Sequence, residues 1–398
     1  DSYLYNNDLM KLNEVELKDF DELKGIIGKT KAMAKTGDIN INAQGFTEES
    51  FEQSNKLKKE KRPLTAEEER VQKLYEEAKK NRDSAISILR GISIRMPLMI
   101  YGATLNKELD GTEEPININN FTTIVDDLSW KEFMPSGVTK EFFAKFKKYY
   151  DPDIFREAGI KIREMAKSAD KLSIEERIER ISMIFNTFRN PDKETVLTPW
   201  RVVNMHMTDC LGGWCFYNEK YSEPITEPRF AEQSDVTKEV YKKNTHILEI
   251  NSKSGLYALY CAYSVYKNRK KLELGTKATR EQEKELWNKV LAENIYVICK
   301  TPMAKSITQR TLAGFTDAKV NAHYFEDLVN QLKNKPENFI NKVTKANYWK
   351  KDGTEMKFDA VVGNPPYQEE TDGAGRQAVP LYNLFVKSAI KMEPNFVS

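Results

Sequence analysis

The sequence is poor in the residues that build metal centres and disulfide frameworks. Its 398 residues hold four cysteines (Cys210, Cys215, Cys261, Cys299) and three histidines (His206, His246, His323). Four scattered thiols do not staple a chain of this length. Cys210 and Cys215 have no second cysteine pair to complete a structural zinc site, so no metal is expected. No apolar run approaches the ~20 residues that span a bilayer. The start also lacks the charged and then apolar stretches of a secretory signal. A reducing cytoplasm is the expected location. Net charge is nearly absent as well: Lys+Arg 62 against Asp+Glu 60 leaves +2. That excludes a uniformly basic nucleic-acid coat, though not a local basic groove. Neither an internal repeat nor a low-complexity tract is present.

What the chain does have is charge and helix-forming sequence, with 31% charged and 40% hydrophobic residues. Residues 1–84 read as a charged helical segment. A capping-box-like Thr65-Ala66-Glu67-Glu68 opens a run of strong helix formers to Arg82. Residues 85–194 read as further amphipathic helices: Ile86, Leu89, Ile92 and Met96 fall at helical spacing, as do Ile178, Ile181, Ile184 and Phe185. From His246 onward short apolar strands alternate with helices, which predicts an α/β fold with a mostly parallel sheet covered on both faces. Ligands of such sheets bind beyond the carboxyl ends of the strands. The chain opens at Asp1 without a methionine and stops at Asn395-Phe396-Val397-Ser398, which resembles the start of a strand. It reads as a piece of something longer.

The most informative run is Phe358-Asp359-Ala360-Val361-Val362-Gly363-Asn364-Pro365-Pro366-Tyr367. An apolar strand delivers a stiff turn, because two prolines fix φ and bias the residue before them away from helix. The turn offers an amide, a carbonyl that the following proline cannot engage, and an aromatic face. Those groups suit an exocyclic amine on a planar base, with Asn364 and Pro365 accepting its hydrogens and Tyr367 stacking on a flipped ring.

This run resembles the catalytic motif of Eco57I-like N6-adenine DNA methyltransferases of restriction–modification systems. The resemblance covers roughly residues 195–398. It implies a Rossmann-like core that uses S-adenosylmethionine, acts on double-stranded DNA, and carries its catalytic residues at Asn364, Pro365, Pro366 and Tyr367. Val196-Leu197-Thr198-Pro199-Trp200-Arg201-Val202-Val203 is similar to the family segment that holds the methionine end of the cofactor, which implicates Thr198 and Pro199. The same pair also reads as an N-cap followed by Pro at the first helical position. Ile247-Leu248-Glu249-Ile250-Asn251-Ser252-Lys253-Ser254-Gly255 stands where the glycine-rich cofactor loop belongs and implicates Glu249, Asn251 and Gly255. Lys253 takes the place of its usual first glycine. The second strand ends at Cys299 where the family has a ribose-binding carboxylate, leaving Lys300, Thr301 or a backbone group to substitute. Glu326 or Asp327, with Asp327 favoured, would accept from the cofactor's adenine amine. Tyr382 and Phe385 would flank the target-base pocket.

Residues 85–190, through Leu89-Arg90-Gly91-Ile92-Ser93-Ile94-Arg95-Met96-Pro97 and Phe188-Arg189-Asn190-Pro191, look similar to the spacer of helicase–methylase fusions. The expected organisation is therefore a charged end of a helicase region (1–84), a helical coupler (85–194) and a truncated methyltransferase domain (195–398). The remaining helicase, nuclease and target-recognition regions would lie on the same longer chain. A non-catalytic DNA-docking fragment with a degenerate cofactor pocket is the alternative from another class. Methylation of protein amides is a third reading.

Overall fold

The computed structural model describes Glu69, Lys73, Leu89 and residues 91–106, 113–135, 137–147, 150–188, 197–366 and 380–398. The expected helix over 65–82 lies outside these residues apart from Glu69 and Lys73. So do Tyr367, the loop that follows it and the Asn190-Pro191 run.

The first part is helical: α1 (Met96–Gly102), α2 (Phe121–Ile124), α3 (Asp127–Phe133), α4 (Lys140–Phe146), α5 (Pro152–Ala169) and α6 (Ile174–Thr187). Local sequence starts these helices. Asp126 accepts from Ser129 N–H at the head of α3, and Asp151 accepts from Asp153 and Ile154 N–H at the head of α5, with Pro152 as first helical residue. Ser173 and Glu176 form a reciprocal capping box on α6. The inward faces follow helical spacing: Ile154, Ala158, Ile162 and Ala166 on α5, and Ile174, Ile178, Ile181 and Phe185 on α6 are buried.

Next come α7 (Trp200–Leu211), an antiparallel hairpin of β1 (Gly213–Tyr217) and β2 (Pro224–Ala231), and α8 (Ser234–Val240). The alternating part follows: β3 (Ile247–Ser252), α9 (Leu256–Glu273), α10 (Arg280–Glu293), β4 (Ile295–Cys299), α11 (Pro302–Ala313), β5 (Asn321–Tyr324), α12 (Leu328–Asn334), α13 (Pro336–Val343), β6 (Ala360–Val362), α14 (Tyr382–Lys391) and β7 (Phe396–Val397). The five strands pair in the order β5-β4-β3-β6-β7, all parallel. The fold is the expected mixed α/β architecture, a parallel sheet preceded by a helical region, consistent with a Rossmann-like methyltransferase.

Period-two alternation divides the strands between two cores. Ile247, Val297, Cys299, Ala360 and Val362 face α9 and α11, whereas Leu248, Ile250, Tyr296, Ile298 and Val361 face Phe339, Trp349 and Phe385. The first of these cores does not stop at the sheet. It runs through Trp200 and Tyr101 into Phe121, Trp130 and Ile178, so the helical region and the sheet share one apolar interior. Gly102 makes the closest approach possible, since a Cβ there would lie 2.3 Å from Ile307 Cγ1 of α11. Polar contacts finish the junction. Arg163 and Arg310 both donate to the Ala103 carbonyl, at 2.8 and 2.9 Å, and Arg177 donates to the Thr311 and Arg310 carbonyls at the end of α11. Among the described residues no helix is long and apolar enough to cross a membrane.

Candidate active site

Chain direction locates the site. From β3 the chain moves outward through β4 and β5, then returns to the other side of β3 to place β6 and β7. The connections leaving β3 and β6 therefore part company between those strands, which opens a crevice at their carboxyl ends. Residues 251–255 leave β3 there, and Gly363-Asn364-Pro365-Pro366 leaves β6 there. The two segments touch at their roots. A Cβ on Gly363 would lie 2.8 Å from the Ile250 carbonyl oxygen, so the absence of a side chain lets this turn begin against β3. Gly363 N–H donates to the Ser398 carbonyl beyond β7 at 3.1 Å.

A third segment reaches the same place. Asn364 Nδ2 donates to Thr198 Oγ1 at 2.9 Å across a separation of 166 residues. Thr198 and Asn364 are both half-buried. Thr198 is not the helix cap expected from its sequence context: Pro199 occupies the N-cap position of α7 with no side-chain cap, and the Thr198 hydroxyl is spent on Asn364 instead. The hydroxyl fixes which way the amide faces. With its NH2 group engaged, Asn364 keeps Oδ1 as an acceptor with no partner among the described residues. The Pro365 carbonyl has no N–H to engage on Pro366.

The β3 loop is held from within. Asn251 adopts φ 63° and Gly255, at the head of α9, φ 76°; asparagine and glycine are the residues that enter this left-handed region most cheaply. Gly255 N–H donates to Ser252 Oγ at 2.9 Å, and Ser252 Oγ pairs with Thr308 Oγ1 of α11 at 3.1 Å. A Cβ on Gly255 would sit 3.1 Å from the Thr308 Cα. Gly255→Ala is expected to cost about 1–3 kcal/mol, the usual penalty for a non-glycine in this conformation. A fall in the urea midpoint with unchanged slope would report it.

Glu249 is 4% exposed in the middle of β3, facing Val297 on one side and Val362 on the other. Its Oε2 accepts from Ala258 N–H at 2.9 Å. Burial pushes its carboxyl up to about 7, against the opposing hydrogen bonds from Ser252 and Ala258. Below about pH 4.5 the group is protonated in folded and unfolded chains alike. Between there and pH 7 the folded chain alone retains the proton, so stability falls as pH rises through that window and levels off above it. The span is worth roughly 3 kcal/mol. Glu249→Gln is expected to flatten that slope, read as the difference in melting temperature between pH 5 and pH 8.

The remaining expected residues are spread around this centre. Pro199 is exposed, and Lys300 follows β4, half-buried. Glu326 and Asp327 are exposed beyond β5; Asp327, at φ 53°, heads α12 and its Oδ2 accepts from Asn330 Nδ2 at 2.6 Å. Tyr382 is 50% exposed, whereas Phe385 is buried and lines a cavity of about 40 Å³ with Gly363, Pro365 and Val361. That volume holds a water or two rather than a base.

Other members of the site carried no sequence signal. His206 of α7 bridges Tyr257 Oη at 2.9 Å and Ser398 Oγ at 3.1 Å, tying together α7, the first turn of α9 and the residue that accepts from Gly363. Partial burial holds its imidazole below the usual range, against the opposing pull of Asp209. Ser252 and Thr308 pin the loop to α11, and Glu132 of α3 reaches Thr301 past the end of β4. Each depends on a fold contact across dozens of residues or more.

Comparison with known proteins bears on this geometry. An "Uncharacterized adenine-specific methylase" of Mycoplasma pneumoniae is 41% identical over 56 residues, 13% of this chain and 13% of that protein. The chain thus matches well under two thirds of the length of this curated relative. The resemblance expected from the Asn-Pro-Pro run is shown over residues 293–398, which hold β4 to β7 and the Asn364 turn: this segment matches the Eco57I restriction-modification methylase family.

Proposed function

We propose that this protein transfers a methyl group from S-adenosylmethionine to the N6 amine of an adenine flipped out of double-stranded DNA. The observation that carries the reading is the Thr198–Asn364 hydrogen bond at the crevice between β3 and β6. It engages the amide nitrogen and leaves Oδ1 with no partner among the described residues, one residue before the Pro365 carbonyl, on a segment that matches a restriction-modification methylase family. In this reading residues 195–398 are the catalytic part and residues 85–194 a helical coupler docked on it.

The residues present fit the cofactor. The carboxyl end of β3 offers a turn with Asn251 and Gly255 left-handed, β3 carries the buried Glu249, and past the end of β4 Glu132 has a buried oxygen with no partner among the described residues. Thr198, Pro199, Glu249, Asn251, Gly255, Lys300 and Asp327 or Glu326 would hold the group. S-adenosylmethionine, when bound, supplies an electrophilic methyl. Asn364 Oδ1 and the Pro365 carbonyl accept the two hydrogens of the amine and aim its nitrogen, and they stabilise the positive charge that grows there as the bond forms. The amine then sheds a proton to solvent, so no strong base is required of the turn. Tyr367 would stack on the base, and Tyr382 and Phe385 would border its pocket once the neighbouring segments admit it.

The test is calorimetric titration of S-adenosylmethionine followed by incorporation of its labelled methyl group into duplex DNA. Saturable binding with label in DNA is expected. Binding without transfer would favour a DNA-docking role, and label in protein amides instead of DNA would favour an amide methyltransferase.

A further inference from the structure

Strand β4, Ile295-Tyr296-Val297-Ile298-Cys299, carries no carboxylate, and its last residue faces Ser252 of the β3 loop in register. In doubly wound folds that bind a nucleoside, an acidic residue at the end of the second strand accepts from the ribose hydroxyls. Cys299 cannot do so. It is fully buried, and its thiol is pushed up by burial, with the Glu249 and Glu132 carboxylates adding to the effect. Of these two carboxylates Glu249 lies in the middle of β3, opposite Val297, and Glu132 is bonded to Thr301, two residues past the end of β4.

Glu132 arrives from α3 in the helical region. It is 5% exposed, its Oε2 accepts from Thr301 Oγ1, and its Oε1 is buried without a partner among the described residues. The head of α11 is engaged by the same contact surface: Thr301 Oγ1 accepts from Ala304 N–H, and Ser129 Oγ of α3 accepts from Met303 N–H at 2.9 Å. The positive end of α11 favours a carboxylate there. An orphaned buried acceptor is costly and calls for a donor. Its bond to Thr301 places Glu132 past the carboxyl end of β4, the end at which parallel sheets bind their ligands, and a ligand hydroxyl is a donor that would satisfy it.

We propose that Glu132 is the ribose-hydroxyl acceptor of the cofactor site, lent to the catalytic core by the helical region. This rests on the reading of the crevice as an adenosyl-cofactor site. Thr301 holds one carboxylate oxygen, and the other takes a hydroxyl when the ligand enters. Glu132 is a binding residue here, remote from the transferred methyl group.

The test uses the whole protein and two probes, S-adenosylhomocysteine and its 2′-deoxyribose counterpart, titrated calorimetrically. The parent is expected to prefer the ribose ligand by about tenfold or more, as a hydrogen bond to a charged group allows. Glu132→Gln is expected to reduce that preference severalfold, and Glu132→Leu, which keeps the buried volume, to abolish it. Affinity for the deoxy probe should stay within about threefold. The preference is a ratio within one protein, so partial loss of folded material does not move it, and melting curves monitor the fold separately. A parent that binds both probes while the variants keep the parent's ribose preference would overturn the role of Glu132 and leave the cofactor site standing. Equal weakening of both probes in the variants would do the same and reduce the residue to a junction contact. A parent that binds neither probe would overturn the cofactor reading and this inference with it.

Discussion

Asn364→Ala is expected to reduce methyl transfer to DNA by at least about a hundredfold, the scale on which removal of a single preorganised polar group acts. The loss should fall on kcat, because the amide oxygen is asked to align and stabilise an amine that becomes charged only as the bond forms. Affinity for S-adenosylhomocysteine should change by less than about threefold. The melting temperature should also hold, since Asn364 is half-buried and its bond to Thr198 joins two segments anchored elsewhere. Thr198→Val gives a graded companion. It leaves Asn364 in place and frees the amide to rotate, so an intermediate loss is expected. Rates measured under single-turnover conditions separate these effects from product release. Retention of most activity in Asn364→Ala would remove the amide from the mechanism.

The largest effect on stability is expected from Arg177→Met. Arg177 is buried between α6 and α11, where it donates to the carbonyls of Thr311 and Arg310 and pairs with Asp170 at 3.3 Å. Asp170 in turn accepts from Phe315 N–H at 2.7 Å. Removing the guanidinium leaves the shielded Asp170 carboxylate without its counter-charge and takes one donor from each of the Arg310 and Thr311 carbonyls. Breaking a buried pair on one side costs about 3–5 kcal/mol. Because one apolar interior runs from the helical region to the sheet, the loss should lower a single cooperative transition. Equilibrium urea unfolding followed by circular dichroism and tryptophan fluorescence checks both points. Two separated transitions, with only one of them shifted, would contradict the shared core.

Strands β3, β4 and β6 and helices α9, α11 and α14 were legible because their signals are local, whereas β5, α10, α12 and α13 were not read. Apolar runs such as Ile295-Tyr296-Val297-Ile298 and Ala360-Val361-Val362 carry a buried strand's composition, and Gly255 and Pro302 mark the heads of the helices that follow. The Asn364 turn was legible for the same reason, since its prolines announce their own geometry. The hairpin at β1 and β2 was not read. Its second strand carries Pro224 and Pro228, with exposed residues toward both faces, and so shows no clean alternation. Thr198 misled for a subtler reason. Its hydroxyl beside Pro199 satisfies the rule for a helix cap, yet the tertiary fold supplies Asn364 as its partner, and a side chain in contact with a residue 166 positions away leaves no local trace. Glu132 is the extreme case. Its meaning comes from Thr301, 169 positions later, and from a strand end that lacks an acid of its own. Sequence marks the gap at Cys299; the packed structure brings Glu132 to Thr301, two residues beyond it.

The central claim is that the crevice between β3 and β6 methylates adenine N6. Its most direct test is incubation of the protein with duplex DNA and S-adenosylmethionine carrying a trideuterated methyl group, followed by complete digestion and mass spectrometry of the nucleosides. Trideuterated N6-methyldeoxyadenosine, present with the parent and absent with Asn364→Ala, is the predicted result. Label in cytosine, or equal label with parent and variant, would contradict it.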